Sequence, residues 1–106
     1  MPFVDLTGLP EREPIPGYRA RFVHTENLTL AYWDIEAGAP LPEHVHPHEQ
    51  IASVIVGCLE FSVAGETRVL EAGSVAVVPP NAVHSGRALT ACRMIAAFSP
   101  VRQDYL

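Results

Sequence analysis

The chain has 106 residues, a length that supports one hydrophobic core and not two. With 48% hydrophobic and 18% charged residues it carries the apolar material of a packed interior, which argues against a disordered chain. Twelve acids against seven bases leave a net charge of -5 and no basic cluster, which speaks against nucleic acid or an anionic membrane surface as the partner.

Taken in order, residues 1–18 contain Pro2, Pro10, Pro14 and Pro16 together with Gly8 and Gly17. Fixed φ angles and missing N–H donors at this density exclude a long helix or a central strand. The reading is an extended proline-rich arm over 1–18, lying on the body of the protein or reaching a partner subunit, with a loose tail as the alternative. Residues 19–106 form the single folded domain. The N-terminus has no basic leader and no long apolar run, so a cytoplasmic protein without a membrane span is expected.

Tyr18, Ala20, Phe22 and His24 alternate with Arg19, Arg21 and Val23, the period of a strand with one buried face. His24 reads as structural or exposed. Leu28 to Ile35 is a second strand, rich in β-branched and aromatic residues. Gly38 to Pro42 interrupts it and leads to His44-Val45-His46-Pro47-His48-Glu49-Gln50, then to the apolar run Ile51 to Gly57. Counting by twos from Gln50 sends Ala52, Val54 and Val56 inward and Ile51, Ser53 and Ile55 outward. Outward isoleucines need cover, from the second layer of a sandwich or from another subunit, and a homodimer is expected. Cys58 to Val63 and Thr67 to Leu70 form a hairpin about Ala64-Gly65. Ser74 to Val78, a turn at Pro79-Pro80-Asn81, His84, and a last strand over Thr90 to Phe98 complete the domain, with Ser99 to Leu106 as a polar-ended tail. Cys58 and Cys92 sit in apolar runs and read as free thiols rather than a disulfide. Many short strands with Gly/Pro turns and no amphipathic helix make this an all-β sandwich or barrel.

His44 and His46, at i and i+2, face one side of an extended strand, and Gln50, four residues on, shares that parity. An HxH pair alone fits a polar strand face as well as a ligand pair. The distant His84 and the flanking glycines tip the reading to a site for one divalent transition ion held by His44, His46, Gln50 and His84. Such neutral donors suit Zn, Ni, Mn, Fe or Co and leave the ion's charge unscreened, which favours Lewis-acid work or anion binding. Glu49 has the wrong parity to be the acidic ligand; His48 is expected to be exposed or to support the ligands from outside.

These residues resemble the cupin superfamily. Gly38, His44, His46, Gln50 and Gly57 fall at the spacings of its first motif, with Gln50 in place of the acid; Gly73, Pro79 and His84 match its second, from which Asn81 and Ala88 depart. The resemblance covers roughly residues 28 to 100 and implies a small double-stranded jelly-roll barrel with the metal inside one end. Within the superfamily, the chain resembles the pectin-degradation cupins that linearise unsaturated galacturonate and related uronates. That subgroup holds its metal with three His and a Gln, matching His44, His46, His84 and Gln50. Its pocket phenylalanine and arginine match Phe98 and Arg102, which makes Arg102 the candidate catalytic and substrate-binding residue, an ordinary surface arginine being the alternative. The subgroup's pocket aspartate falls on Ala96, and alanine moves no proton. The resemblance therefore implies a pocket for a small anionic ligand, a sugar acid first, with isomerisation or ring opening as the reaction. The alternatives are a non-catalytic metabolite-binding cupin and an iron-dependent dioxygenase.

Overall fold

The alternation of apolar and polar residues in the first half of the chain becomes paired strands with one sealed face. The computed structural model describes residues 2–106. It contains ten strands: β1 (Arg12–Ile15), β2 (Tyr18–His24), β3 (Thr29–Ile35), β4 (Pro40–His44), β5 (Glu49–Val56), β6 (Leu59–Val63), β7 (Glu66–Leu70), β8 (Val75–Val78), β9 (His84–Ala88) and β10 (Cys92–Ser99). They form a six-stranded sheet in the order β1-β2-β3-β10-β5-β8 and a four-stranded sheet in the order β4-β9-β6-β7. Every pairing is antiparallel. The architecture is an all-β double-sheet jelly roll, and the inner faces of both sheets make the core.

Register arranges the inner face of the larger sheet in rows. One row runs Ala20, Trp33, Met94, Val54, and the next runs Phe22, Ala31, Ala96, Ala52, Ala76. The row nearest the metal-site residues is His24, Thr29, Phe98, Gln50, Val78. Four successive alanines thus leave a shallow trough beside Gln50 and Phe98. Tyr105, in a short 3-10 turn over Gln103–Tyr105, packs its ring 4.5 Å from Phe22, 6.2 Å from Trp33 and 6.3 Å from Phe98. Those three rings flank the alanines, so Tyr105 lies over the trough. The polar-ended tail is therefore docked into the barrel, because its aromatic ring has apolar ground to cover.

Three further expectations are adjusted. Gly38 to Pro42 does more than interrupt: Pro40–His44 is itself a strand, paired with β9. Within the proline-rich arm, Arg12–Ile15 pairs with β2 as an edge strand, where Pro14 removes no bond from a ladder interior. Val56 faces solvent rather than the core, because the register of β5 against β10 slips between Arg93 and Met94 and inverts the parity past the bulge. Gly57, at φ +93, follows; a side chain there would run into the Ala91 carbonyl oxygen, so only glycine fits. The hairpin turns on Ala64 and Gly65, both at positive φ (48 and 86), as a two-residue loop requires when it must match strand twist. Cys58 and Cys92 are free, and burial pushes the Cys92 thiol up. Among the described residues no helix is long and apolar enough to cross a membrane.

Candidate metal centre

The ligand residues do not share one strand. His44 ends β4, His46 lies in the connection that follows, and Gln50 is the second residue of β5 in the opposite sheet. The chain crosses from one sheet to the other between them, so convergence comes from a corner rather than from uninterrupted strand parity. Pro42 and Pro47 bracket that corner, and the Asn81 N–H donates to the His46 carbonyl at 2.9 Å, tying the Pro79-Pro80-Asn81 turn to it. His84, first residue of β9, sits directly across from His44 in the β4–β9 register. The His44 and His84 rings are 4.0 Å apart between centroids, and His46 and His84 are 4.7 Å apart. The ligand atoms of His44, His46 and His84 all lie within 4.8 Å of one another, a cluster that can hold a metal ion.

Each imidazole is oriented in the same way. Nδ1–H of His44 donates to the Pro42 carbonyl at 2.9 Å, that of His46 to the His48 carbonyl at 3.0 Å, and that of His84 to the Ala82 carbonyl at 2.9 Å. A backbone acceptor at Nδ1 selects the tautomer whose Nε2 is unprotonated, the arrangement typical of a metal-binding histidine. Buried Nε2 of His84, only 1% of whose surface is exposed, has no hydrogen-bond partner among the described residues. Gln50 Oε1 lies 3.2 Å from Nε2 of His46, and with Nδ1 of that ring carrying the proton, both are lone-pair donors. Two acceptors held face to face and a third left unpaired are costly in a buried site unless a cation meets them. The donor set fits a divalent transition ion.

Electrostatics agree with that assignment. Burial lowers the pKa of His84 from 6.5 to about 4, against the opposing bond to Ala82. Burial and the Arg102 guanidinium lower that of His46. Both rings are therefore neutral near pH 7, the form in which imidazole ligates. Glu49 is exposed and offers no carboxylate to the cluster. His48 contributes the carbonyl that orients His46, while its ring stands 5.4 Å from the His46 ring and its Nδ1 is buried without a partner. His24 is not an isolated residue: its Nδ1 meets Thr29 Oγ1 at 2.9 Å and its Nε2 meets the Tyr105 carbonyl at 3.2 Å.

Phe98 and Arg102 lie beside the triad. Phe98 stands 5.7 Å from the His46 ring. Arg102 is 8% exposed, its backbone N–H donating to Thr29 Oγ1 at 2.8 Å. Its guanidinium is layered over Phe98 at 4.8 Å and Tyr105 at 4.2 Å. Nε donates to Asp104 Oδ1 at 2.9 Å and Nη2 to Oδ2 at 2.6 Å, a bidentate pair that holds the Asp104 carboxyl below the usual range. Ala96 is fully buried in the alanine row, so no acid stands there. The cavity bounded by His44, Gln50, His84, Phe98, Arg102 and Tyr105 holds about 40 Å³. Sequence reasoning gives Asp104, Tyr105 and Thr29 no role; the spacing of Arg102 and Asp104 at i and i+2 next to an aromatic residue is the only local signal.

A family model described as a cupin domain matches residues 31–98. An RmlC-like cupin from Shewanella frigidimarina is similar with a TM-score of 0.94 and 26% identity, over 100% of this chain and 96% of that one. KdgF from a Halomonas species is similar with a TM-score of 0.92 and 30% identity, over 100% of this chain and 99% of that one. An uncharacterized protein of Streptomyces coelicolor is 25% identical over 91 residues, 85% of this chain and 87% of that protein.

Proposed function

Given that the chain belongs to the cupin family, we propose that it is a metal-dependent cupin acting on a small sugar acid, by isomerisation or ring opening of an unsaturated uronate. His44, His46 and His84 through Nε2 and Gln50 through Oε1 would hold one ion of Zn, Ni, Mn, Fe or Co. Such an ion supplies Lewis-acid polarisation of a carbonyl or hydroxyl oxygen. Arg102 would take the ligand's carboxylate, since a planar guanidinium matches that group, and Phe98 would pack on the sugar face. The observation that carries the reading is a buried arginine stacked on Phe98 next to three unprotonated imidazole nitrogens. The likeness to KdgF and the resemblance to the uronate-linearising cupins support it.

Ala96 favours a second reading, a non-catalytic binder of the same ligands, because general acid–base help contributes about 10²–10⁴-fold and is missing there. Incubating metal-loaded protein with unsaturated galacturonate and following its ultraviolet absorbance separates the two. Loss of absorbance that chelation abolishes supports the enzyme; binding without loss supports the binder. We also propose a homodimer formed through the outer face of the six-stranded sheet, where Ile51, Ile55, Val75 and Val77 are exposed. A monomer by light scattering at micromolar concentration contradicts it.

A further inference from the structure

The cavity beside the triad and the state of Arg102 pose one problem together. About 40 Å³ is room for a water or two and not for a hexuronate. Tyr105 fills the missing space, lying over the alanine row against Phe22, Trp33 and Phe98. Arg102 already has a carboxylate on it, that of Asp104, one residue before Tyr105. A ligand the size of a hexuronate gains room in this cavity when the terminal turn leaves. If the turn leaves alone, the guanidinium gives up its bidentate carboxylate partner, a charge-assisted pair.

We propose that Asp104 is an internal stand-in for the ligand's carboxylate and that the terminal turn Gln103–Tyr105 is a gate released by carboxylate exchange on Arg102. An incoming carboxylate replaces that of Asp104 on the same guanidinium, so the cation stays paired, and Tyr105 is displaced from the trough with the turn. Thr29 keeps the Arg102 backbone in place through the 2.8 Å bond, so the hinge lies after Arg102. Holding the closed turn are the two Asp104 bonds, the Tyr105 ring, and the Tyr105 carbonyl, which accepts from Arg12 Nη1 at 2.7 Å and meets His24 Nε2 at 3.2 Å. A neutral sugar of the same size has nothing to exchange, so Asp104 makes the site selective for carboxylates. This rests on the reading of Arg102 as the ligand's carboxylate site.

The test uses the full chain loaded with cobalt, with galacturonate as probe and galactose as its neutral counterpart. Binding is read by calorimetry and by fluorescence of Trp33, the single tryptophan, whose ring lies 6.2 Å from that of Tyr105. The wild type is expected to bind galacturonate with a change in Trp33 emission and to ignore galactose. Asp104→Ala is expected to bind galacturonate at least about fivefold more tightly and to gain measurable galactose binding, since one competing charge-assisted pair is gone. Asp104→Asn, which keeps the side-chain shape, should move in the same direction. Weaker or unchanged galacturonate binding in both variants overturns the gate and leaves the sugar-acid site standing, with Asp104 then aligning Arg102. No galacturonate binding by wild type or variants, at full metal occupancy, overturns the gate and the sugar-acid reading together.

Discussion

Two buried polar clusters share one end of this barrel, and they are built in opposite ways. In the histidine triad every Nδ1–H is satisfied by backbone and the Nε2 lone pairs are left over, that of His84 with no hydrogen-bond partner among the described residues. In the Arg102 cluster the reverse holds: the guanidinium is paired, stacked on two rings and closed over by Tyr105. The first cluster leaves donor atoms over that could hold a metal ion. The second is complete as it stands, and in the proposed gate it opens when a ligand's carboxylate replaces that of Asp104. A cupin that needs both a metal and an anion can thus be preorganised for one and gated for the other.

The largest effect that sharpens this contrast is removal of a triad member. His84→Ala is expected to lower metal affinity by more than about 100-fold, beyond the cost of losing an outer partner, as read by metal analysis of protein purified without a nickel column. Full occupancy in that variant would remove His84 from the site.

Acid is the next probe, because the triad titrates only when no metal holds it. His84 is kept neutral in the fold down to about 4, whereas its ordinary value is 6.5. Between those values the unfolded chain binds more protons. Stability of the metal-stripped protein is therefore complete above about 6.5 and declines as pH falls toward 4, by roughly 2–3 kcal/mol, with His46 acting in the same direction. Denaturant titrations across that range, with and without metal, should show the decline only in the stripped protein. A flat profile would mean that the triad is not desolvated as described.

Filling the alanine row tests what lies beneath the gate. Ala96→Asp places a carboxyl on a fully buried position between Ala31 and Ala52, under the Tyr105 ring. An unpaired buried polar group costs about 1–3 kcal/mol, so the melting temperature should fall. Pairing it with Tyr105→Ala should recover part of the loss by admitting water. Equal loss in the single and double variants would show that Tyr105 does not cover that row.

Much of this architecture is legible in the chain. Tyr18 to His24 and Thr29 to Ile35 alternate, so their buried faces follow from period 2, and the spacing of Gly38, His44, His46, Gln50 and Gly57 together with that of Gly73, Pro79 and His84 carries the resemblance to the cupins. The rest depends on distant partners. That His44 faces His84 is a property of the β4–β9 register, and no local pattern encodes it. The bulge that turns Val56 outward is one extra residue of β5 against β10 and is visible only in their pairing. The tail reads as polar because Arg102, Gln103 and Asp104 dominate it; that two of these neutralise each other and carry Tyr105 onto the alanines emerges only in three dimensions.

The smallest expected effect is on stability at the gate itself. Asp104→Asn removes an ion pair whose acid is more than half exposed, so its cost should stay within about 1 kcal/mol. The pair stabilises at pH values above the carboxylate's ordinary range, and that contribution is lost as pH falls through the lowered value of Asp104. A much larger loss at neutral pH would make the turn a structural element rather than a gate.

Whether three imidazoles and one amide hold a metal is decided by anomalous scattering from a crystal of protein loaded with one equivalent of cobalt. A single peak bonded to Nε2 of His44, His46 and His84, with Gln50 Oε1 in the same shell, is expected. A peak elsewhere, or one from which His84 Nε2 is absent, would rule that site out.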